Sequence, residues 1–337
     1  MAASPLTYNL PTEYREAPDQ QQRAALEQRR AAFLAKPLVT GASVPFTIEG
    51  GDCAYSPRRA AVLDAPVVAL NPPRPLNRLL LDTLEGRPEQ LFNLRLMREL
   101  WSGAGYRSQV WVGVVEDGSG ATLGEVVVKL VVESLFPYPP GWKAEYVRWQ
   151  PATVLAEREA YAYSCLQPLQ GRDVPYCYGA GRFHMPNGEE VPGFLLEDLT
   201  PCANRIDKAC SWAKEADTDA GDIEPVAVAI FEGMRRLFAC GIVLFKFKIQ
   251  DFFFLREFPA DPHPVFIDFG TVESVDEFKA NLRLGADEYY SADELEADWQ
   301  SYDEAWVSGT LAEFFEEPYF DWLNEETLVT RRLGLRI

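Results

Sequence analysis

Two β-branched runs, Gln109–Val115 and Glu125–Val132, flank the turn sequence EDGSGATLG. Runs rich in valine separated by a glycine-bearing segment predict two antiparallel strands joined as a hairpin. The second run, EVVVKLV, carries Lys129 in an otherwise apolar strand. At the edge of a sheet such a lysine snorkels to water. In the interior it requires an acidic partner, and Glu157 or Glu159 in the following segment can supply one. That segment, ATVLAEREAYAYSCL (Ala152–Leu166), has helix-forming residues with apolar positions near helical spacing.

Around this unit the chain changes character. Glu13–Lys36 reads as a mostly polar helix, and the proline-rich stretches Leu70–Pro75 and Phe136–Pro140 read as turns or surface loops. GFLLEDL (Gly193–Leu199) reads as a short buried strand, Lys214–Pro225 as an exposed loop and Val226–Cys240 as an amphipathic helix. Ser291–Glu294 and Thr310–Glu313 fit capping boxes that open helices, the first placing Trp299, Tyr302 and Trp306 on one face. Strands dominate the first half and helices the second. The expected organisation is a helical N-terminal extension over 1–43, a β-rich lobe over 44–199 and a helical lobe over 200–337.

With 47% hydrophobic residues in 337, the chain can bury a large core, yet no continuous apolar run is long enough to span a bilayer. The N-terminus has neither a basic start nor an apolar h-region, so the expectation is no secretory signal and a cytoplasmic or nuclear protein. A net charge of −19 opposes general affinity for nucleic acid or anionic membrane. Between Asp287 and Glu326 there is no Lys or Arg. This acidic stretch reads as a solvated face or as a docking surface for a basic protein partner. The six cysteines form no CxxC pair, and neither His184 nor His263 has metal-ligand spacing to one, which argues against a structural zinc site.

Several motifs can carry chemistry. In WSGAGYRSQV (Trp101–Val110), Gly103 and Gly105 permit a tight turn or a close backbone approach to phosphate. Asp268, in VFIDFG (Val265–Gly270), stands at the end of an apolar strand ahead of Gly270, a position suited to Mg²⁺ or to a simple strand-end turn. The order of parts is glycine turn, strand lysine, helix glutamate, short apolar strand, helix, then Asp268-Phe269-Gly270. That order, with EREAYAYSCLQPLQGRDVPYCYGAG, GFLLEDL and RLFACGIVLFKFKIQDFFFL, resembles the protein-kinase-like superfamily, and especially its divergent fungal-type domains, over about 100–273.

The resemblance implies an α+β, bilobal protein-kinase-like fold, with a β-rich N-lobe holding one principal helix and a helical C-lobe. It implies ATP and Mg²⁺ as cofactors. Lys129 would hold the α/β-phosphates, and Glu159 would be its helix partner with Glu157 as fallback. Glu197–Leu199 would offer backbone to an adenine, and Asp268 would hold Mg²⁺. Setting Gly241-Ile242-Val243 against the start of the catalytic loop places Lys246 at the catalytic aspartate and Asp251 at the metal-binding asparagine. In an alternative register Asp251 is itself the catalytic aspartate.

A lysine has an unperturbed pKa of ~10.4, and bringing it down to about 7 so that it could act as a base costs roughly 4 kcal/mol. Losing a positioned base slows transfer by on the order of 10²–10⁴. Asp251 can still coordinate Mg²⁺. The reading that follows is a pseudokinase that can bind Mg·ATP, transfers phosphate poorly and acts through interactions. The alternatives are an active atypical ATP-dependent phosphotransferase, since phosphoryl transfer depends heavily on positioning, or a different fold serving as a structural or binding module.

Overall fold

The computed structural model describes residues 20–48, 73–87, 90–136, 150–205, parts of 229–244, 252–255 and 263–274. These divide into two compact units. The first holds the described residues up to Leu199 together with Phe269–Thr271, and the second holds the remainder.

The first unit is built on a closed antiparallel barrel. Its strands are β1 (Ser43–Ile48), β2 (Leu91–Trp101), β3 (Ser108–Glu116), β4 (Thr122–Val131), β5 (Cys177–His184) and β6 (Glu190–Leu196). They run around the barrel in the order β1-β2-β3-β4-β6-β5, and β5 pairs back onto β1 through Phe46↔Phe183, Thr47↔Arg182 and Ile48↔Gly181. The expected hairpin is β3–β4, in register from Ser108↔Val131 to Glu116↔Thr122. Its turn is fixed by Asp117, whose carboxylate accepts from the Ser119 hydroxyl and from the N–H groups of Ser119 and Ala121.

Alternation along the strands sends one face inward. Leu94 and Leu96 of β2, Val115 of β3, Val126, Val128 and Leu130 of β4 and Leu195 of β6 fill one core, with Phe46 stacked between Phe92 at 5.6 Å and Phe183 at 5.0 Å. Helix α2 (Arg78–Gly86) adds Leu80 and Leu84 to that core, and Phe33 of α1 (Gln20–Ala35) joins it. Asn77 starts α2 by accepting from the Leu80 N–H at 3.1 Å, while its amide nitrogen donates to the Leu123 carbonyl at 3.3 Å. Helix α3 (Ala152–Cys165) touches β4, β6 and the 3-10 turn Phe269–Thr271, so it covers the opposite face of β4 and β6. There Tyr163 lies 6.3 Å from Phe194 and edge-on to Phe269 at 5.2 Å.

The second unit contributes short strands among its described residues. These are β7 (Ala203–Arg205), β8 (Ile242–Val243), β9 (Phe252–Leu255), β10 (Pro264–Phe266) and β11 (Glu273–Ser274). They pair as a three-stranded sheet β10-β9-β7 and a two-stranded sheet β11-β8. The aromatic run Phe252–Leu255 is the central strand, with Phe252 edge-on to Phe254.

This architecture corrects the expected fold class. The described residues do not form a bilobal kinase-like fold with a helical C-lobe. They form a six-stranded closed barrel with few helices, and past Leu199 the described helical residues lie within 229–239 and in the 3-10 turn at Phe269–Thr271. The physical reason is closure: β1 and β5 satisfy each other's edge hydrogen bonds, so the sheet ends as a barrel and not as an open lobe. The capping boxes at Ser291 and Thr310, the Trp299–Trp306 face and the acidic stretch lie outside the described residues. Among the described residues no helix is long and apolar enough to cross a membrane.

Candidate functional site

Inward positions of β4 alternate with the row Glu125, Val127 and Lys129 on its other face, where α3 packs. Register places Lys129 opposite Phe194 and Val127 opposite Leu196 of β6. Lys129 is 7% exposed, and its Nζ lies 2.7 Å from Oε2 of Glu159, which is 1% exposed. The strand lysine and the helix glutamate thus meet, Glu159 being the partner and not Glu157. A buried pair of this kind gains Coulomb energy but pays desolvation on both ions, so it contributes little net stability compared with an apolar pair. What it does achieve is a cation held at a fixed point of a rigid strand.

Adjacent in the same unit is the glycine turn between β2 and β3. Gly103 and Gly105 have φ of 124° and 97°, backbone that glycine alone adopts without strain. Both N–H groups are engaged inside the protein. That of Gly103 donates to Oε1 of Gln109 at 2.8 Å, and that of Gly105 to the Leu135 carbonyl at 2.9 Å.

At the end of β6, Glu197 is held by an arginine that sequence reasoning passed over. Nε of Arg74 donates to Oε1 of Glu197 at 2.7 Å and its Nη2 to Oε2 at 2.9 Å. The same guanidinium reaches the carbonyls of Arg172 at 2.6 Å and Val174 at 3.0 Å. The Glu197 N–H donates to the Tyr176 carbonyl at 2.8 Å, and the Tyr176 N–H to Oε2 of Glu197 at 3.1 Å. The side chain of Glu197 therefore serves as an anchor for the strand exit, and its N–H is already committed. Leu199, two residues on, is buried at 4% exposed.

Two features modulate the electrostatics here. Burial pushes the Cys177 thiol up to about 12, with the charge of Glu159 a smaller push in the same direction. Glu125 is raised, first by desolvation and then by its hydrogen bond to Asp198 and that residue's charge.

Asp268, in the second unit, is exposed and has φ of 64°, the one described non-glycine residue in the left-handed region. Aspartate tolerates that conformation better than most residues, and such backbone is found at functional sites as well as at turns. No group of three or more His, Cys, Asp or Glu capable of holding a metal occurs among the described residues. Asp268 alone offers one carboxylate, which suits Mg²⁺ when phosphates and water supply the remaining oxygens. Lys246 and Asp251 lie outside the described residues.

No protein-family model matches the chain, and no curated protein aligns with it significantly.

Proposed function

We propose that this protein binds a magnesium–nucleotide polyphosphate such as Mg·ATP, transfers phosphate poorly or not at all, and acts through its interactions. The observation that carries the reading is the Lys129–Glu159 pair, a cation oriented by a buried carboxylate on β4, which pairs with the strand that follows the glycine turn. In this reading Lys129 contacts phosphate oxygens, Glu159 fixes its direction, and the Asp268-Phe269-Gly270 motif supplies the metal ligand. Bound Mg²⁺ would neutralise phosphate charge. Lysine at position 246, in place of a carboxylate base, is the reason for weak transfer. The acidic stretch between Asp287 and Glu326 is the proposed surface for a basic protein partner.

Calorimetric titration with ATP, with and without Mg²⁺, tests this. The wild type should bind in a metal-dependent way, and Lys129→Met should weaken binding at least about ten-fold. That single change leaves Glu159 buried without its cation, a loss of about 3–5 kcal/mol in stability. The double variant Lys129→Met with Glu159→Gln restores charge balance, so it should recover stability without recovering affinity. Asp268→Asn is the metal control, since asparagine also tolerates positive φ. A folded wild type that ignores ATP overturns the proposal.

A further inference from the structure

We propose that Gln109 is an internal latch on the glycine turn, occupying the backbone groups that a polyphosphate anion would otherwise engage; this rests on the nucleotide reading above. Gln109 is a polar residue only 1% exposed on the barrel strand β3. Its amide closes a ring with the turn: Oε1 accepts the Gly103 N–H at 2.8 Å, while Nε2 donates to the Gly103 carbonyl at 3.1 Å and to the Ser108 carbonyl at 3.3 Å. The ring uses both backbone polar groups of Gly103. A side-chain carboxamide presents the same oxygen to an N–H that a phosphate would, so the two compete for one donor.

The turn is tied down from its other side as well. The Gly105 N–H donates to the Leu135 carbonyl and the Val132 N–H to the Arg107 carbonyl, which link the turn to the chain leaving β4 three and six residues past Lys129. Trp101 and Tyr106, at the two ends of the turn, pack with their rings tilted and their centroids 4.7 Å apart. Glycines at φ of 124° and 97° can present N–H groups as an anion-binding concavity, but in the latched arrangement these donors point at protein oxygens. An anion at the turn must displace Gln109, and its apparent affinity is reduced by the fraction of molecules that remain latched.

The test uses the full chain and inorganic tripolyphosphate, with Mg·ATP alongside. Gln109→Leu keeps the volume and removes the amide. It should bind tripolyphosphate about five-fold more tightly than wild type, the factor that one ordinary net hydrogen bond is worth, and the Gly103 amide should exchange with solvent faster. Faster exchange at Gly103 with equal or weaker affinity overturns the latch and leaves the nucleotide reading standing. Tripolyphosphate binding by Gln109→Leu alone, with Mg·ATP still bound by wild type, supports a latch that the bare anion cannot open. Absence of binding by both proteins overturns the latch and the nucleotide reading together. Should Gln109→Leu fail to fold, wild-type NMR decides: saturating tripolyphosphate should shift the Gln109 side-chain amide and Gly103 N–H resonances, and binding that leaves both unmoved overturns the latch.

Discussion

Lys129 and Trp111 sit on adjacent strands, and each carries a polar nitrogen into apolar surroundings. Lysine finds Glu159, whereas Nε1 of Trp111, in a residue 2% exposed, meets no acceptor among the described residues. An orphaned buried donor costs about 1–3 kcal/mol, comparable to the packing lost when the larger ring is trimmed. Trp111→Phe should therefore change stability by no more than about 1 kcal/mol in urea unfolding, against the 3–5 kcal/mol typical of a large aromatic cut to alanine. A loss above about 3 kcal/mol would mean that Nε1 has a partner. Cys177 offers a second residue-scale expectation. Its thiol is raised to about 12 by burial, so in the native state it keeps its proton after the unfolded chain has lost its own near the ordinary value of 9.0. The native state then binds more protons than the unfolded one, and stability falls as pH rises from about 9 towards 12. Below about 9 the contribution is intact. Cys177→Ala should flatten that alkaline slope relative to wild type.

At the scale of elements, the clearest unforeseen feature is the clamp made by Arg74. Leu70–Pro75 reads as a proline-rich surface loop, and a lone arginine among prolines has no periodicity to mark it. Folded, it joins the approach to α2, the Arg172–Val174 turn and the end of β6 through one planar guanidinium, with the Tyr176 hydroxyl donating to the Arg74 carbonyl at 2.9 Å. The pair is about one-tenth exposed on each side, enough burial for its geometry to matter. Arg74→Lys keeps the charge but cannot reproduce the fork, so a loss of about 1–3 kcal/mol is expected. A double-mutant cycle of Arg74→Ala with Glu197→Gln should return a coupling near 2 kcal/mol; coupling near zero would assign the strand exit to other contacts. Lys129, by contrast, was visible from the sequence, because a charge inside EVVVKLV cannot be buried without a carboxylate. The glycine turn was half visible. Its permissive backbone could be read, but Gln109 reads simply as a strand residue, and only the fold shows its amide returning to Gly103.

Across the whole molecule, the β3–β4 hairpin was legible because its register is local and valine-rich, whereas closure of the barrel was not. Closure depends on β1 meeting β5, more than 130 residues away, and β5 (CYGAGRFH) carries two glycines, which weaken its strand pattern. Those glycines are what let the barrel close. A Cβ added at Gly181 would collide with the backbone carbonyl of Thr47 on β1, an atom that cannot swing aside as a flexible side chain would. Gly181→Ala should therefore push β5 from β1 at the seam, exposing strand edges and loosening the Phe46–Phe183 stack. The expected cost is more than about 3 kcal/mol, well above the ~1 kcal/mol centre of ordinary substitutions. Hydrogen exchange should localise it: amides of Phe46–Ile48 and Gly181–Phe183 should lose protection first, while those of the β3–β4 hairpin, paired on its far side from the seam, keep theirs. Uniform loss of protection over all six strands would show instead that the barrel opens as one cooperative unit, with Gly181 acting on global stability and not on the seam.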